Sequence, residues 1–180
     1  VQGTVLYVRS KGAGVRALTP TQGGMYEGQD ISWHAAHLFT GTVTGRVLEV
    51  QTRRTIAAWA YAEDPWGVVW AARTDGILLS ATPGTGGVWG WARHDTDGDV
   101  EDVCCVPEGS EDAVYLVVNR PLIGRVIERM ESRVQNGLED DDACVDCATK
   151  KSMVPSVSVT GLAHLEGASV YFIAKGNVPQ

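Results

Sequence analysis

The chain has 180 residues and a formal net charge of −7 at pH 7, with 44% apolar residues. This size allows one ordinary domain or two small ones, and the acidic charge argues against a DNA-wrapping surface, since neutralising phosphates takes Lys and Arg. No apolar run is long enough for a membrane helix, so we expect no membrane span.

The N-terminal part predicts strands followed by one short helix. Residues 3–9 and 15–18 have the apolar, β-favouring composition of two strands joined by a turn. Asp30 precedes residues 31–39, whose apolar side chains recur at helical spacing. Asp is a favourable N-cap because its carboxylate accepts from N–H groups of the first turn. We therefore predict a short helix near 31–39, capped by Asp30.

From residue 46 onward the pattern is that of short strands separated by turns. Such strands, spaced by roughly 8–12 residues, are typical of β-sandwiches, barrels and propellers. We predict a mainly β chain whose antiparallel hairpins resemble propeller blades, about two of them in residues 46–130. Two blades cannot close a ring, so either further blades lie outside this stretch or the sheets pack as a sandwich.

Two similar segments each carry Trp, then Arg, and end in Thr-Asp-Gly. They are residues 69–76, which contain Trp70, and residues 89–98, which contain Trp91. Asp-Gly between apolar runs favours a tight type I′ hairpin, in which both central residues have positive φ. The pairs Asp75-Gly76 and Asp97-Gly98 are therefore predicted to be hairpin turns.

The C-terminal third changes in composition. Residues 131–150 are polar and acidic, and strand-like segments resume near residue 154. We predict a β-rich region over residues 1–133, an acidic, Cys-containing excursion over 134–153, and the start of a second β segment over 154–180. The chain begins without Met and stops just after a strand-like run, so we expect an excerpt of a longer protein.

The candidate metal and redox residues favour plain structural roles. Cys104 and Cys105 are adjacent in a strand-like run, so one thiol is expected in the core and the other outside. Cys144 and Cys147 have C-x-x-C spacing but lack the surrounding pattern of a zinc or redox site. The acidic segment 95–102 fails the EF-hand spacing, because its Gly falls at position 4. We predict no metal site and no cofactor.

No catalytic motif is present. The sequence lacks G-x-S-x-G, the Walker phosphate loop and the dinucleotide fingerprint. Glu128 is the one acidic residue in an apolar frame, and pairing with an Arg of a flanking strand explains it better than catalysis does. We therefore predict that the protein is not an enzyme.

Several strings resemble, in order, the tail tubular protein B family, the nozzle proteins of short-tailed phages and related prophage tails. They are Asp30–Leu38, Trp70–Leu78, Gly90–Gly98, Asn119–Met130 and Val159–Gly167. The most specific is the last, Gly161-Leu162-Ala163-His164-Leu165-Glu166-Gly167. The vicinal cysteines and the acidic stretch 139–147 depart from the family pattern.

The resemblance implies a structural virion protein. Nozzle proteins form an oligomeric ring of β-rich domains, contact other tail and connector proteins, and let the genome pass as cargo. The resemblance would place this chain in the virion tail, made in the cytoplasm of the bacterial host. It implies scaffold roles for the matching residues: Trp70 and Trp91 as core anchors, the Asp-Gly pairs as turns, and Glu128 as an ionic tie.

A second hypothesis is a tail-associated β-propeller module that recognises a host-surface glycan or calcium. The two hypotheses differ in tryptophan exposure. A scaffold should bury most of the six Trp, whereas a glycan site presents one or two indole rings to solvent beside carboxylates or amides.

Overall fold

The structure, a computed structural model, describes residues 3–9, 14–39 and 55–131, and residues 158, 160, 162, 166 and 167. The chain divides into two compact units, Val1–Asp146 and Cys147–Gln180. The strands and helices described all belong to the first unit. The predicted acidic excursion, both of its boundaries and the strand-like end of the chain lie outside the described residues.

The described part is mainly β, as predicted. Its strands are β1 (Val5–Val8), β2 (Val15–Pro20), β3 (Tyr26–Asp30), β4 (Ile56–Ala62), β5 (Val68–Arg73), β6 (Leu78–Pro83), β7 (Trp89–His94), β8 (Asp99–Glu108), β9 (Glu111–Arg120) and β10 (Gly124–Arg129). Two short 3-10 helices, Trp33–Leu38 and Thr85–Gly87, lie between strands.

The strands form three antiparallel sheets, each built from consecutive strands. The first sheet has the order β1-β2-β3, the central sheet β4-β5-β6-β7, and the third sheet β8-β9-β10. Pairing is antiparallel throughout these sheets. The predicted antiparallel hairpins are therefore present, and the described strands of residues 46–130 form two sheets.

One core lies between the central and third sheets. Strand residues alternate between the two faces of a sheet, so Val68, Trp70 and Ala72 of β5 point together toward the third sheet. They pack against the inward-facing valines and leucine of β8 and β9, which are Val100, Val103, Val114, Leu116 and Val118. The third sheet thus covers one face of the central sheet.

A second core covers the opposite face of the central sheet. Ala71 of β5 and Leu79 of β6 contact apolar residues of β2 and of the segment that follows β3, namely Val15, Ala17, Ile31, Ala35, Leu38 and Phe39. Every residue of β5 is consequently buried. The central sheet is covered on both faces, which explains the continuous apolar run from Val68 to Ala72.

The predicted helix near 31–39 is present as a 3-10 helix, but its start differs from the prediction. It begins at Trp33 with Ser32 as N-cap, and Ala35 breaks its geometry with φ −115°. Asp30 is the last residue of β3, and its Oδ1 accepts from the backbone N–H and the hydroxyl of Ser32. Asp30 therefore stabilises the turn between β3 and the helix, and Ser32 takes the N-cap position that was predicted for Asp30.

The Asp75-Gly76 turn closes the β5–β6 hairpin as predicted, but it is not type I′. Gly76 has φ +82°, whereas Asp75 does not have positive φ. The Gly76 N–H bonds the Arg73 carbonyl at 3.1 Å and the Arg73 N–H bonds the Ile77 carbonyl at 2.9 Å. This pattern is that of a three-residue loop, a type I turn followed by a left-handed glycine.

The prediction of a hairpin at Asp97-Gly98 is wrong. β7 and β8 belong to different sheets, so this pair lies in the connection from the central sheet to the third sheet. Gly98 is nonetheless required there, since a Cβ on it would lie 2.8 Å from the Asn119 carbonyl oxygen. Local sequence signals the turn but cannot tell which strand the chain will pair with next.

Candidate functional site

A buried arginine joins the central sheet to the segment before it. Arg73 ends β5, the second strand of that sheet. Its Nε and Nη2 donate to the two carboxylate oxygens of Asp75 at 2.7 and 2.5 Å. Its Nη1 donates to the carbonyl of Leu38, which precedes the sheet in the chain.

The third sheet repeats this arrangement atom by atom. Arg120 ends β9, again the second strand of its sheet. Its Nε and Nη2 donate to the carboxylate of Glu128 at 2.6 and 2.8 Å, and its Nη1 donates to the carbonyl of Asp97 at 2.9 Å. Asp97 precedes the third sheet, as Leu38 precedes the central sheet. The expected pairing of Glu128 with a flanking-strand Arg is confirmed.

We call these two arrangements the arginine forks. Bidentate Arg–carboxylate pairs are among the stronger and more directional polar contacts in proteins. In each fork the third donor reaches the chain that leads into the sheet, so the fork fixes both the strand end and the incoming segment. The two forks share the same donor atoms at the end of a second strand, but Asp75 lies two residues after Arg73 whereas Glu128 lies eight residues after Arg120.

The six tryptophans are distributed differently from the scaffold expectation. All six lie in the described ranges, and only Trp70 is buried. Trp33, Trp66 and Trp59 are 74%, 54% and 38% exposed, and the remaining two are half-buried. The expectation that most of the indoles are inside is wrong. Trp33 lies in a 3-10 helix and Trp66 in a turn, and Trp59 lies on the face of β4 opposite to the core-facing Ala58 and Ala60.

Trp70 and Trp91 do anchor the two cores, on opposite faces of the central sheet. Trp70 packs in the core shared with the third sheet and against the ring of His94, with ring centroids 5.1 Å apart. Trp91 meets Phe39 edge to face at 5.0 Å. The Trp91 indole N–H donates to the Ile31 carbonyl at 2.8 Å, which ties β7 to the segment after β3.

A groove lies between the end of β3 and the turn that leads into β7, and we call it the Trp33 groove. It has a volume of about 210 Å³ and is lined by Gln29, Asp30, Ile31, Trp33, His34, Gly87, Val88 and Trp89. The Gln29 side-chain amide donates to the Gly87 carbonyl at 3.0 Å across its floor. Two indoles, the Gln29 amide, the Asp30 carboxylate and the His34 imidazole therefore meet in one concavity.

A second, smaller cleft surrounds Trp66, and we call it the Trp66 cleft. Its volume is about 90 Å³, and its rim carries the carboxylates of Asp64, Glu111, Asp112 and Glu131. Asp112 is committed to structure, since it accepts from the backbone N–H groups of Glu63 and Asp64 at 2.7 and 3.2 Å. Burial, followed by the nearby carboxylates of Glu63, Asp64 and Asp112, raises the pKa of Tyr61.

The outward face of the third sheet carries ion pairs around apolar residues. Arg125 pairs with Glu101, and Arg129 pairs with Glu108 and Glu111. The Tyr115 hydroxyl donates to Glu108 at 2.5 Å. This bond, followed by those from Arg129, lowers the pKa of the Glu108 carboxyl. Arg125 lowers the pKa of Glu101 in the same way.

The vicinal thiols point in opposite directions, as predicted. Cys104 is exposed, whereas Cys105 packs against the core between the central and third sheets. Burial, reinforced by Asp112, raises the pKa of Cys105 to about 11. A thiol with so high a pKa is a poor nucleophile and metal ligand at neutral pH. Cys144 and Cys147 lie outside the described residues.

The most specific resemblance string is described only in part. Leu162 is half-buried, and Glu166 and Gly167 form an exposed turn in which Gly167 has φ +85°. Gly161 and His164 lie outside the described residues. The predicted turn before the final strand-like run is therefore present at its last two positions.

The sequence did not reveal the Arg73 fork, the backbone contact of the Arg120 fork or either aromatic concavity. The signal for the first fork was the Arg-x-Asp spacing of Arg73 and Asp75, which recurs as the ion pair of Arg93 and Asp95 at 2.8 Å. No comparable signal existed for the Trp33 groove, because its residues come from two separate parts of the chain.

Metal and membrane features complete the description. Among the described residues, no three His, Cys, Asp or Glu side chains are placed to hold a metal ion. None of the helices in these ranges has the length and apolar character needed to cross a membrane.

Searches against protein-family models and against curated proteins return no match.

Proposed function

We propose that this chain is a structural part of the tail nozzle of a short-tailed phage or prophage. In this proposal copies assemble into a ring, contact other tail and connector proteins, and pass DNA as cargo through the virion tail. The protein would be made in the host cytoplasm and would catalyse no reaction.

The repeated arginine fork is the observation that carries this proposal. Arg73 with Asp75, and Arg120 with Glu128, hold two consecutive sheets to the chain that precedes each. Both forks fall inside the strings on which the family resemblance rests. Consecutive antiparallel sheets that pack face to face in chain order are the construction of propeller blades. We therefore propose that the central and third sheets are two such blades.

The charge of the chain suits a conduit. A net charge of −7 disfavours association of the protein as a whole with the DNA phosphates. DNA can then move through a lumen without being held by the counterion release that drives non-specific binding.

Assembly of the full-length protein tests the proposal. We expect a ring-shaped oligomer by analytical ultracentrifugation and negative-stain electron microscopy, with and without reductant. We also expect no stable complex with duplex DNA at physiological salt. A monomer at micromolar concentration, or tight salt-sensitive DNA binding, would contradict the proposal.

A recognition module for a surface glycan is the second candidate, and the exposure of Trp33, Trp59 and Trp66 favours it. Exposed indoles beside polar side chains are typical of binding sites that stack on a ligand and hydrogen-bond its edge. A glycan array with the full-length protein tests this second candidate, because an absence of binding to every sugar on the array contradicts it.

A further inference from the structure

Trp33 lies on the exposed side of its short helix, together with His34, Ala36 and His37. Ala35 and Leu38 enter the core beneath the central sheet, while Trp33 and His34 face the groove and solvent. An indole has the largest apolar surface of any side chain, so leaving it three-quarters exposed forgoes considerable stabilisation. Packing therefore does not account for Trp33.

Three contacts made by its lining residues hold the groove beneath Trp33 in shape. Gln29 reaches the Gly87 carbonyl, and Trp91 donates to the Ile31 carbonyl from β7. Asp30 accepts from Ser32 on the far side. Gly87 has φ +78°, and a Cβ there would approach the Gln29 amide to 3.1 Å. The walls are thus positioned before any ligand arrives, which lowers the entropic cost of binding.

The chemistry of the lining selects a class of ligand. The two indoles provide apolar faces, while Gln29 keeps a donor and an acceptor after its bond to Gly87, since a primary amide has two N–H groups and a carbonyl oxygen. Asp30 and His34 add further hydrogen-bonding groups. No Lys or Arg is among the residues that line the groove, and Arg9, which reaches its edge, is paired with Asp30 at 4.0 Å, so the lining favours a neutral ligand over a phosphate.

The size of the groove narrows the class of ligand further. The groove, at about 210 Å³, is smaller than the pockets of about 300–1,000 Å³ that enclose drug-sized ligands. A pyranose ring is compact, has an apolar C–H face that can stack on an indole, and has hydroxyls at its edge. A proline-rich peptide also docks on aromatic side chains but needs a longer groove.

We infer that the Trp33 groove binds one pyranose ring of a neutral glycan, stacked on Trp33 with its hydroxyls bonded to Gln29 and Asp30. This inference does not depend on the nozzle proposal, and it gives the recognition candidate a location. A ring that assembles and also binds sugar satisfies both, whereas a ring that binds no sugar overturns only this inference.

Saturation-transfer difference NMR of the full-length protein tests the inference. The probes are methyl α-D-glucopyranoside, methyl β-D-galactopyranoside and methyl N-acetyl-β-D-glucosaminide at millimolar concentrations. We expect transfer to the ring C–H protons of at least one of them. Absence of transfer to all three, or binding of a proline-rich peptide in their place, overturns the inference.

Variants locate the binding. Trp33→Ala should weaken binding of the responding glycoside roughly tenfold or more, since loss of a stacking aromatic removes a dominant contact. Trp33→Phe should restore part of it, and Gln29→Ala should weaken it less. Trp66→Ala is the matched control, an exposed indole outside the groove, and should bind as the wild type does. Unchanged binding by Trp33→Ala, or an equal loss in Trp66→Ala, overturns the inference.

Discussion

The central and third sheets share one design but differ in what covers them. Both are antiparallel meanders with an arginine fork at the end of the second strand. The central sheet has a core on each face, whereas the third sheet has a core on one face and ion pairs on the other. Accordingly the Arg73 side chain is 2% exposed and that of Arg120 is 15% exposed.

The difference implies that the arginine fork contributes differently to the free energy of unfolding in the two sheets. The forks differ in the burial of the guanidinium, since the Asp75 and Glu128 side chains are 34% and 33% exposed. Removing a buried charged donor costs heavily because its acceptors lose a partner that water cannot replace. A pair that solvent reaches is screened and contributes less. A pair of similar substitutions, one in each sheet, measures this difference.

The largest contrast is expected between Leu79→Ala and Ile127→Ala. Leu79 is fully buried in the central sheet, whereas Ile127 of β10 is 76% exposed on the third. Leu79→Ala should lower the free energy of unfolding by about 2–5 kcal/mol through lost burial and a cavity. Ile127→Ala should change it by at most about 0.5 kcal/mol. Urea denaturation at one protein concentration measures both, and similar losses would mean that Ile127 is covered in solution.

A second contrast uses the glycines Gly76 and Gly124, which have φ +82° and +87°. Alanine at either position costs about 1–2 kcal/mol for the left-handed backbone. A Cβ at Gly76 would also lie 2.6 Å from the Asp99 Cβ, whereas one at Gly124 meets nothing within 4 Å. We expect Gly76→Ala to cost about 1–3 kcal/mol more than Gly124→Ala. Equal losses in urea denaturation would show that β8 can move away from the turn.

The forks themselves give a third contrast, between Arg73→Met and Arg120→Met. Methionine keeps much of the side-chain volume while removing every donor. We expect Arg73→Met to lower the free energy of unfolding by about 2–3 kcal/mol, because it leaves the Leu38 carbonyl without its charged donor. Arg120→Met should cost about 1 kcal/mol less, since solvent can replace its bonds. A reversed order would contradict the link between burial and fork strength.

The smallest expected effect is a pH dependence of stability that arises from the outward face of the third sheet. The pKa of Glu108 is lowered from its ordinary 4.5, first by the Tyr115 hydroxyl and then by Arg129. A lowered folded-state pKa stabilises the protein above pH 4.5, and this stabilisation is lost as the pH falls through the folded-state value. Tyr115→Phe should therefore raise the Glu108 pKa toward 4.5 in a carboxyl NMR titration. Tyr7→Phe, a hydroxyl removed from the first sheet, should leave the Glu108 pKa unchanged.

Much of the local structure was predictable because it depends on neighbouring residues alone. Alternating and β-branched residues predicted the strands, and the Asp-Gly pair predicted the turn at residues 75–76. The tie between Arg120 and Glu128 was expected from an acidic residue in an apolar frame. The type of the 75–76 turn was mispredicted, because the bond from Arg73 N–H to Ile77 selects a longer loop than the dipeptide suggests.

The wrong predictions concern which sheet a strand joins and which side chains become buried. Asp97-Gly98 has the same local signal as Asp75-Gly76, yet the strand after it joins another sheet. The exposure of Trp33 was likewise not evident, because Trp33, like the buried Trp70, is a tryptophan in an apolar segment. In each case the outcome depends on which other segment packs against the residue in the folded chain. Neighbouring residues in the sequence do not reveal that segment.

The sequence by itself determined a chain of short antiparallel strands, their turns and the charged residues at their ends, since these follow from backbone preference and side-chain alternation. Only the tertiary structure decided that the central sheet is covered on both faces, that Arg73 and Arg120 occupy equivalent forks, and that Trp33 and Trp89 share a groove. The physical reason is that burial and long-range hydrogen bonding depend on segments brought together by folding.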